Sequence, residues 1–206
     1  MLKKIVAIGP ESTGKSSLCE KLAEHYNTLW CPEYAREYLT IHGMNYTYED
    51  LLTIAKGQIE LENKYEFEVR SRKSELKTLT TRDSLPINIG ITATHSPLAT
   101  RHSLLFIDTD MYVMKVWCEF VFGKCHQFIL DQIPKRKYDL YLLCDIDLPW
   151  ISDELREYPD EGPRQKLYAI YKNTMQNQFT PWIEINGNYE QRALKAIDAV
   201  DSILKE

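Results

Sequence analysis

Two glycines, a lysine and a serine stand near the start of the chain at the intervals of a phosphate-binding loop. The stretch GPESTGKSS matches G-x-x-x-x-G-K-[ST]. The glycines let the backbone turn tightly and pass close to an anion, so that the loop amides point at phosphate oxygens. The lysine would supply positive charge to the β- and γ-phosphates, and the first serine hydroxyl would complete a Mg²⁺ shell. The motif therefore predicts that ATP is held by Gly9, Glu11, Ser12, Thr13, Gly14, Lys15, Ser16 and Ser17.

A second candidate site residue lies where an apolar run ends in a carboxylate. Residues 104–107 are fully apolar, which is typical of a buried parallel strand, and Asp108 follows them. A carboxylate at this point of a phosphate-loop enzyme usually holds Mg²⁺, directly or through water. We therefore predict a magnesium site formed by Ser16 and Asp108. Capping of the next helix is a compatible role for Asp108, and Asp110 is also placed to cap that helix.

Charged residues also stand just past other predicted strand ends, where ligands bind in open α/β sheets. Glu33 and Arg36 follow a short strand and are candidate substrate contacts. Their alternative is the solvated first turn of a helix. Arg156 and Arg164 flank a loop with two prolines and a glycine, which suggests a lid that closes over transferring phosphate. Surface arginines on a polar helix are the alternative there.

The elements that must position these residues alternate between strand and helix. Strands are predicted at 3–8, 28–31, 104–108, 138–144 and 181–185, and helices at 14–26, 48–70, 113–122, 128–133, 165–178 and 188–204. This alternation predicts an α/β fold with a five-stranded parallel sheet, helices on both faces and a small lid. We expect a single domain over residues 1–206, with the lid at about 150–165.

Two stretches depart from this simple pattern. Gly57 and Gln58 interrupt the long helix, and a mid-helix glycine hints at close approach by a ligand or by backbone. Residues 71–103 are rich in serine and threonine without a sustained helical period, so we expect an irregular excursion there. Within it, Ile87–Ile91 is a candidate edge strand, and His95 and His102 are expected to be solvated.

Composition limits the classes of function. A chain of 206 residues with 44% apolar residues can bury a real core. The net charge of −5 argues against nucleic acid as the main partner, because a basic footprint is missing. No apolar run is long enough to span a membrane, and the apolar stretch after Met1 is too short for a signal peptide. The five cysteines lack zinc spacing, which favours reduced thiols in a cytoplasmic protein.

Four stretches together resemble the ribosylnicotinamide kinase domain of NadR-type proteins and the AAA-type ATPases grouped with it. They are GPESTGKSSL at 9–18, PEYAREYL at 32–39, FIDTDMYVMKVWCEFVFG at 106–123, and LPW at 148–150 followed by DELR at 153–156. The phosphate loop alone is generic, whereas the other stretches in this order are much more specific. The resemblance covers most of the chain except residues 71–103, whose length exceeds what the family leads us to expect.

This resemblance implies a nucleoside-kinase-like fold and an ATP-dependent kinase that phosphorylates the 5′-hydroxyl of nicotinamide riboside, giving nicotinamide mononucleotide for NAD biosynthesis. Synthesis of the dinucleotide and repression are not implied, because the phosphate loop already begins at residue 9. In such a kinase, charge on the transferring phosphate would be neutralised by Mg²⁺, Lys15, Arg156 and Arg164. Either Asp110 or Glu33 would orient the acceptor hydroxyl and take its proton.

The resemblance also suggests how an acceptor would be held. Aromatic faces attract a flat cationic pyridinium, and the candidate stacking partners are Trp30, Tyr34 and Tyr112. Arg36 and Gln58 are candidate contacts to the ribose or the amide. The expected partner is a small molecule, with neither nucleic acid nor membrane, and the sequence carries no signal for an oligomeric state. Two alternatives stay open: a kinase for another nucleoside or small alcohol, and a slow ATPase switch that binds a protein partner.

Overall fold

The computed structural model describes residues 1–82 and 103–205, and within them five parallel strands form one sheet. The strands are β1 (Leu2–Ile8), β2 (Leu29–Cys31), β3 (Ser103–Asp108), β4 (Leu140–Cys144) and β5 (Trp182–Ile185). They lie in the order β2-β3-β1-β4-β5. The central strand β1 pairs with β3 on one side, where Ile5 faces Phe106, and with β4 on the other, where Ile5 faces Leu140. Because all pairings are parallel, the carboxyl ends of the strands meet at one edge.

Helices connect and cover the strands. They are α1 (Lys15–His25), α2 (Tyr34–His42), α3 (Tyr48–Arg82), α4 (Met111–Phe122), α5 (Gln127–Gln132), α6 (Glu161–Gln176) and α7 (Tyr189–Lys205). Alternate residues of β1 serve two cores, one on each face of the sheet. Ile5 and Ala7 belong to a cluster shared with α1 and α7, whereas Val6 and Ile8 pack with α4 and α6. The predicted fold class is confirmed.

The long helix differs most from its prediction. It continues past residue 70 to Arg82, so the irregular excursion predicted from residue 71 is wrong for its first part. Residues 71–82 include Lys, Glu, Leu and Arg, which favour helix, and extending an existing helix needs no new nucleus. The remaining part of that stretch, with the candidate strand Ile87–Ile91 and both histidines, lies outside the described residues.

The predicted interruption of this helix at Gly57 is also wrong, because α3 is continuous there. A Cβ on Gly57 would lie 2.1 Å from Cε1 of Tyr34. The glycine therefore leaves room for the Tyr34 ring, and the close approach that it signals comes from an aromatic side chain of α2.

In the described part of the chain, no helix combines the length and apolarity needed to cross a membrane. All five cysteines are free thiols, and four of them are buried: Cys19, Cys31, Cys118 and Cys144. Burial raises the pKa of the Cys118 and Cys144 thiols to about 12, so both stay protonated near neutral pH.

Candidate functional site

A cavity of about 380 Å³ opens at the carboxyl edge of the sheet. Several segments that follow strands line it: the phosphate loop after β1, the turn with Glu33 after β2, and Asp108 at the end of β3. Residues 153 and 155–158, which follow β4, lie across from them. A cavity of this size is within the usual range for small-molecule sites. All eight residues predicted to hold ATP line it: Gly9, Glu11, Ser12, Thr13, Gly14, Lys15, Ser16 and Ser17.

The two motif glycines are required by space and by backbone conformation. Gly9 has a φ of 138°, and a Cβ there would lie 2.6 Å from the carbonyl oxygen of Cys144. Gly14 has a φ of 78° and is the N-cap residue of α1, where no side chain caps the helix. The first amides of α1 are therefore left for another acceptor, as at helix ends that bind anions.

Two side-chain bonds fix the shape of the phosphate loop. The Thr13 hydroxyl donates to the carbonyl oxygen of Pro10 at 2.7 Å, and the Lys15 ammonium donates to the same oxygen at 2.9 Å. Lys15 thus lies folded along the inside of the loop, with its charge at the cavity wall. This position suits a lysine that neutralises an anion held by the loop amides.

Asp108 and Ser16 meet as the sequence predicts. The Ser16 hydroxyl donates to Oδ2 of Asp108 at 2.5 Å, while Oδ1 is buried without a hydrogen-bond partner in the described residues. Hard oxygen atoms of this kind fit Mg²⁺. No cluster of three or more His, Cys, Asp or Glu side chains suited to a metal occurs in the described ranges. An ion bound here would therefore complete its shell with phosphate and water oxygens.

Glu33 and Asp108 are two buried acids that both interact with the charge of Lys15. Burial raises the pKa of both carboxyl groups; the Asp108 charge raises that of Glu33 further, and Lys15 opposes the shift in both. Glu33 is the N-cap residue of α2 but makes no capping hydrogen bond with its side chain, which lines the cavity instead. An acid with a raised pKa that faces a cavity is well suited to exchange a proton there.

Asp110, the other candidate base, is not brought to the cavity. Its Oδ1 accepts from the amides of Tyr112 and Val113 at 2.9 and 3.2 Å, and its Oδ2 accepts from the Tyr141 hydroxyl at 2.8 Å. Burial raises its pKa to about 6. Both oxygens are therefore engaged within the protein, and Asp110 serves as the N-cap of α4.

Gln58 also lies behind the cavity wall. Its Oε1 accepts from the Tyr34 amide at 2.7 Å, and its Nε2 donates to the carbonyl oxygen of Pro32 at 3.3 Å. These two bonds bracket Glu33 in the chain. Gln58 thus holds the turn that presents Glu33, and it does not line the cavity as a ligand contact.

The aromatic lining differs from the predicted set. Trp30 lines the cavity as expected, but Tyr34 packs at Gly57 and Tyr112 packs edge-on to Tyr141. The aromatic lining that the sequence reasoning missed comprises Trp117, Phe120, Tyr158 and Tyr171. The available signal was an apolar stripe on α4 at residues 113, 117 and 120, but such spacing is equally typical of a helix face buried in the core.

The segment after β4 is fastened to the phosphate loop by side chains of that loop. The Glu11 carboxylate accepts from the amide of Glu157 at 3.0 Å and from that of Tyr158. The Ser12 hydroxyl oxygen accepts from the amide of Ile151 at 3.1 Å. We call residues 150–160 the cover segment, because it lies over the loop through these contacts.

Arg36 and Arg156 line the cavity, but Arg164 does not. Arg36 binds Asp153 of the cover segment at 3.0 Å. The guanidinium groups of Arg156 and Arg164 lie 5.9 and 5.4 Å from the Trp150 ring centre. Arg164 belongs to α6 and is 6% exposed, so it lies beneath the cover segment. The pair thus flanks Trp150, and only Arg156 reaches the cavity.

The family of the chain follows from its match to a model of a known protein family. The model described as an AAA domain matches residues 4–77 and 67–192. The chain belongs to this AAA domain family. The chain is also 23% identical over 210 residues to the "Trifunctional NAD biosynthesis/regulator protein NadR" of Salmonella typhimurium and of Escherichia coli. It spans 43% of the length of these curated relatives, and the alignments cover 100% of this chain.

Solved structures show the fold of this AAA domain. A NadR protein in complex with NR has a TM-score of 0.66 at 21% identity, with 99% of this chain and 50% of that chain covered. Thymidylate kinase from Ehrlichia chaffeensis has a TM-score of 0.55 at 12% identity, with 97% and 98% covered. The chain therefore has the fold of phosphate-loop kinases.

Proposed function

We propose that the chain is an ATP-dependent kinase that phosphorylates the 5′-hydroxyl of nicotinamide riboside and releases nicotinamide mononucleotide. The observation that carries the proposal is the meeting of Lys15, the Ser16–Asp108 pair and Glu33 around one cavity. The similarity to proteins named NadR, one of them solved with NR bound, supports the choice of acceptor.

The proposed reaction is in-line phosphoryl transfer. The amides of the phosphate loop bind the nucleotide, and Lys15 and Arg156 stabilise charge on the transferring group. Bound Mg²⁺, with Ser16 and Asp108 as its protein ligands, would supply further charge neutralisation. Because the transition state is loose, catalysis depends mainly on positioning the acceptor oxygen against the phosphorus.

Glu33 is the proposed base. It faces the cavity, and burial raises the pKa of its carboxyl group, whereas the oxygens of Asp110 are engaged in capping α4 and in a bond to Tyr141. Gln58 keeps Glu33 in place through the chain on either side of it. Of the two candidates that the sequence left open, the geometry favours Glu33.

The acceptor is proposed to lie between aromatic side chains. Trp30 from β2 and Trp117 from α4 line the cavity, and the Trp117 indole donates to the Tyr46 hydroxyl at 2.9 Å, which fixes the ring. Phe120 and Tyr158 extend this lining and pack edge-to-face with ring centres 5.3 Å apart. A flat pyridinium cation gains electrostatic energy against such faces. Arg36, which pairs with Asp153, is the proposed contact to the ribose or the carboxamide, and the cover segment is the proposed lid.

The test is a panel of acceptors with ATP and Mg²⁺: nicotinamide riboside, other nucleosides and small alcohols. Nicotinamide riboside should give the highest kcat/KM, and Lys15→Ala should abolish transfer without changing the circular dichroism spectrum. Glu33→Gln should lower kcat by about 10²-fold or more, whereas Asp110→Asn should retain most activity. Turnover with another acceptor only would reassign the substrate. ATP hydrolysis that no acceptor stimulates would favour the switch instead.

A further inference from the structure

Arg192 of α7 is a buried arginine that bonds three separate loops around the nucleotide end of the cavity. It is 3% exposed. Its Nη1 donates to the carbonyl oxygen of Thr13 at 2.9 Å, Nη2 to that of Asp145 at 2.9 Å, and Nε to that of Gly187 at 2.8 Å. The guanidinium group therefore joins the phosphate loop to the connections that follow β4 and β5.

The bond to Thr13 affects how the phosphate loop presents its amides. The described part of the chain has no cis peptide bond, so the carbonyl and the following N–H of each peptide point in opposite directions. With the Thr13 carbonyl directed at Arg192, the Gly14 amide is directed away from it. Gly14 lines the cavity, and the next residue begins α1. Arg192 thus fixes the peptide plane that aims one of the anion-binding amides.

Asp147 completes the arrangement from the loop after β4. Its Oδ1 pairs with Nη2 of Arg192, and its Oδ2 accepts from the Gly187 amide at 2.6 Å. The buried positive charge therefore has a counter-ion, and the loop after β5 is held through both its amide and its carbonyl. The connection after β4 and the start of α7 also reach the phosphate loop directly, since a Cβ on Gly14 would lie 3.0 Å from Leu148 and 3.5 Å from Tyr189.

We infer that Arg192 is a positioning residue that sets the affinity of the site for a nucleoside triphosphate by holding the phosphate loop in its binding shape. The inference rests on the proposed function in one respect, that this cavity binds ATP. A purely structural ion pair would need the carboxylate alone, whereas three of the Arg192 bonds go to carbonyl groups of loops around the site. Because Arg192 lies behind the phosphate loop, the affinity for the acceptor should not depend on it.

The chain offers a matched control at the opposite edge of the sheet. Arg136 lies before β4, its side chain is 11% exposed, and it donates to the two oxygens of buried Glu62 at 3.0 and 3.1 Å. Arg136→Lys and Arg192→Lys make the same chemical change at two largely buried arginines, each of which pairs with a carboxylate. Only the second pair touches the nucleotide site.

The experiment titrates the full chain and both variants with a non-hydrolysable ATP analogue and Mg²⁺ by calorimetry, and records melting temperatures and steady-state kinetics. Arg192→Lys should raise the Kd for the analogue and the KM for ATP roughly ten-fold or more, which is about 1.4 kcal/mol. Its KM for the acceptor and its kcat at saturating ATP should stay within about two-fold. Arg136→Lys should lower the melting temperature while leaving the Kd unchanged.

Asp147→Ala guards against a variant that fails to fold. The Asp147 side chain is 38% exposed, so its removal leaves no buried gap but frees the Gly187 amide and removes one of the two partners of Nη2 of Arg192. Asp147→Ala should also raise the Kd for the analogue, by a smaller factor than Arg192→Lys does. Unchanged affinity in both site variants would overturn the inference, and so would equal losses in Arg192→Lys and Arg136→Lys. If the unmodified chain bound no analogue at all, the proposed function itself would be wrong.

Discussion

Gly57 offers a sharp test of how α3 positions the proposed acceptor side of the cavity. In Gly57→Ala the new Cβ would meet Cε1, Cδ1 and Cζ of Tyr34 at 2.1, 2.4 and 2.5 Å. Relaxed carbon–carbon contacts lie at about 3.5–4.0 Å, so the ring must move by more than about 1 Å. Its backbone cannot follow freely, because the Tyr34 amide is bound to Gln58.

The magnitude follows from two opposing effects. Alanine inside a helix is favoured over glycine by about 1 kcal/mol, whereas overpacking usually costs about 1–3 kcal/mol. We therefore expect Gly57→Ala to lower the free energy of unfolding by up to about 2 kcal/mol. Since Tyr34 follows Glu33 directly, the KM for the acceptor should also rise while the KM for ATP stays constant.

A double-mutant cycle with Tyr34→Ala isolates the cause. Without the ring, Gly57→Ala should be neutral or stabilising, so that the coupling energy measured by urea unfolding is about 1–3 kcal/mol. The KM for the acceptor is measured in the same four proteins, which are the parent, the two single variants and the double variant. Additive effects of the two substitutions, or a Gly57→Ala protein more stable than the parent, would refute the idea that the glycine exists to seat this ring.

Two further predictions concern carboxyl groups. Glu11→Ala removes the acceptor for the amides of Glu157 and Tyr158, so limited proteolysis should cut the cover segment faster while the melting temperature changes little; unchanged protection would contradict the proposed fastening. Burial raises the pKa of Asp110 from 3.8 to about 6, so the folded state binds the proton more tightly than the unfolded state. This stabilisation is fully present below about pH 4 and is lost as the pH rises to about 6, by up to about 3 kcal/mol. Asp110→Asn should remove this component of the pH dependence in urea titrations; a pH profile identical to that of the parent would count against it.

The sheet and most helices could be predicted because apolar runs and helical periodicity are local signals. The alternation of strand and helix leaves few topologies for a parallel sheet. The end of α3 was missed because the serine and threonine residues in this stretch predict a loop, although Lys, Glu and Leu beside them favour a helix. Cooperative extension of a helix that is already formed is not visible in a short window of sequence.

The candidate site shows the same contrast between local signals in the sequence and contacts between distant residues. The sequence could predict that the phosphate loop, Asp108 and Glu33 meet at one cavity, because each lies at or just past the end of a strand and strand ends converge. Positions that depend on contacts distant in the chain could not be predicted. Gln58 was expected to touch a ligand but holds a turn, and Arg192 was not singled out. The available signal was its charge on a helix face otherwise buried at residues 196 and 200.

The phosphate loop divides two tasks between its backbone and its side chains. The backbone of the loop lines the cavity, while the side chains of Glu11 and Ser12 accept hydrogen bonds from the cover segment. The two tasks can therefore change independently over evolutionary time. Substitutions at the variable positions of the motif would change the rate of product release without changing how the loop binds an anion. Enzymes sharing the same signature could thus differ widely in turnover.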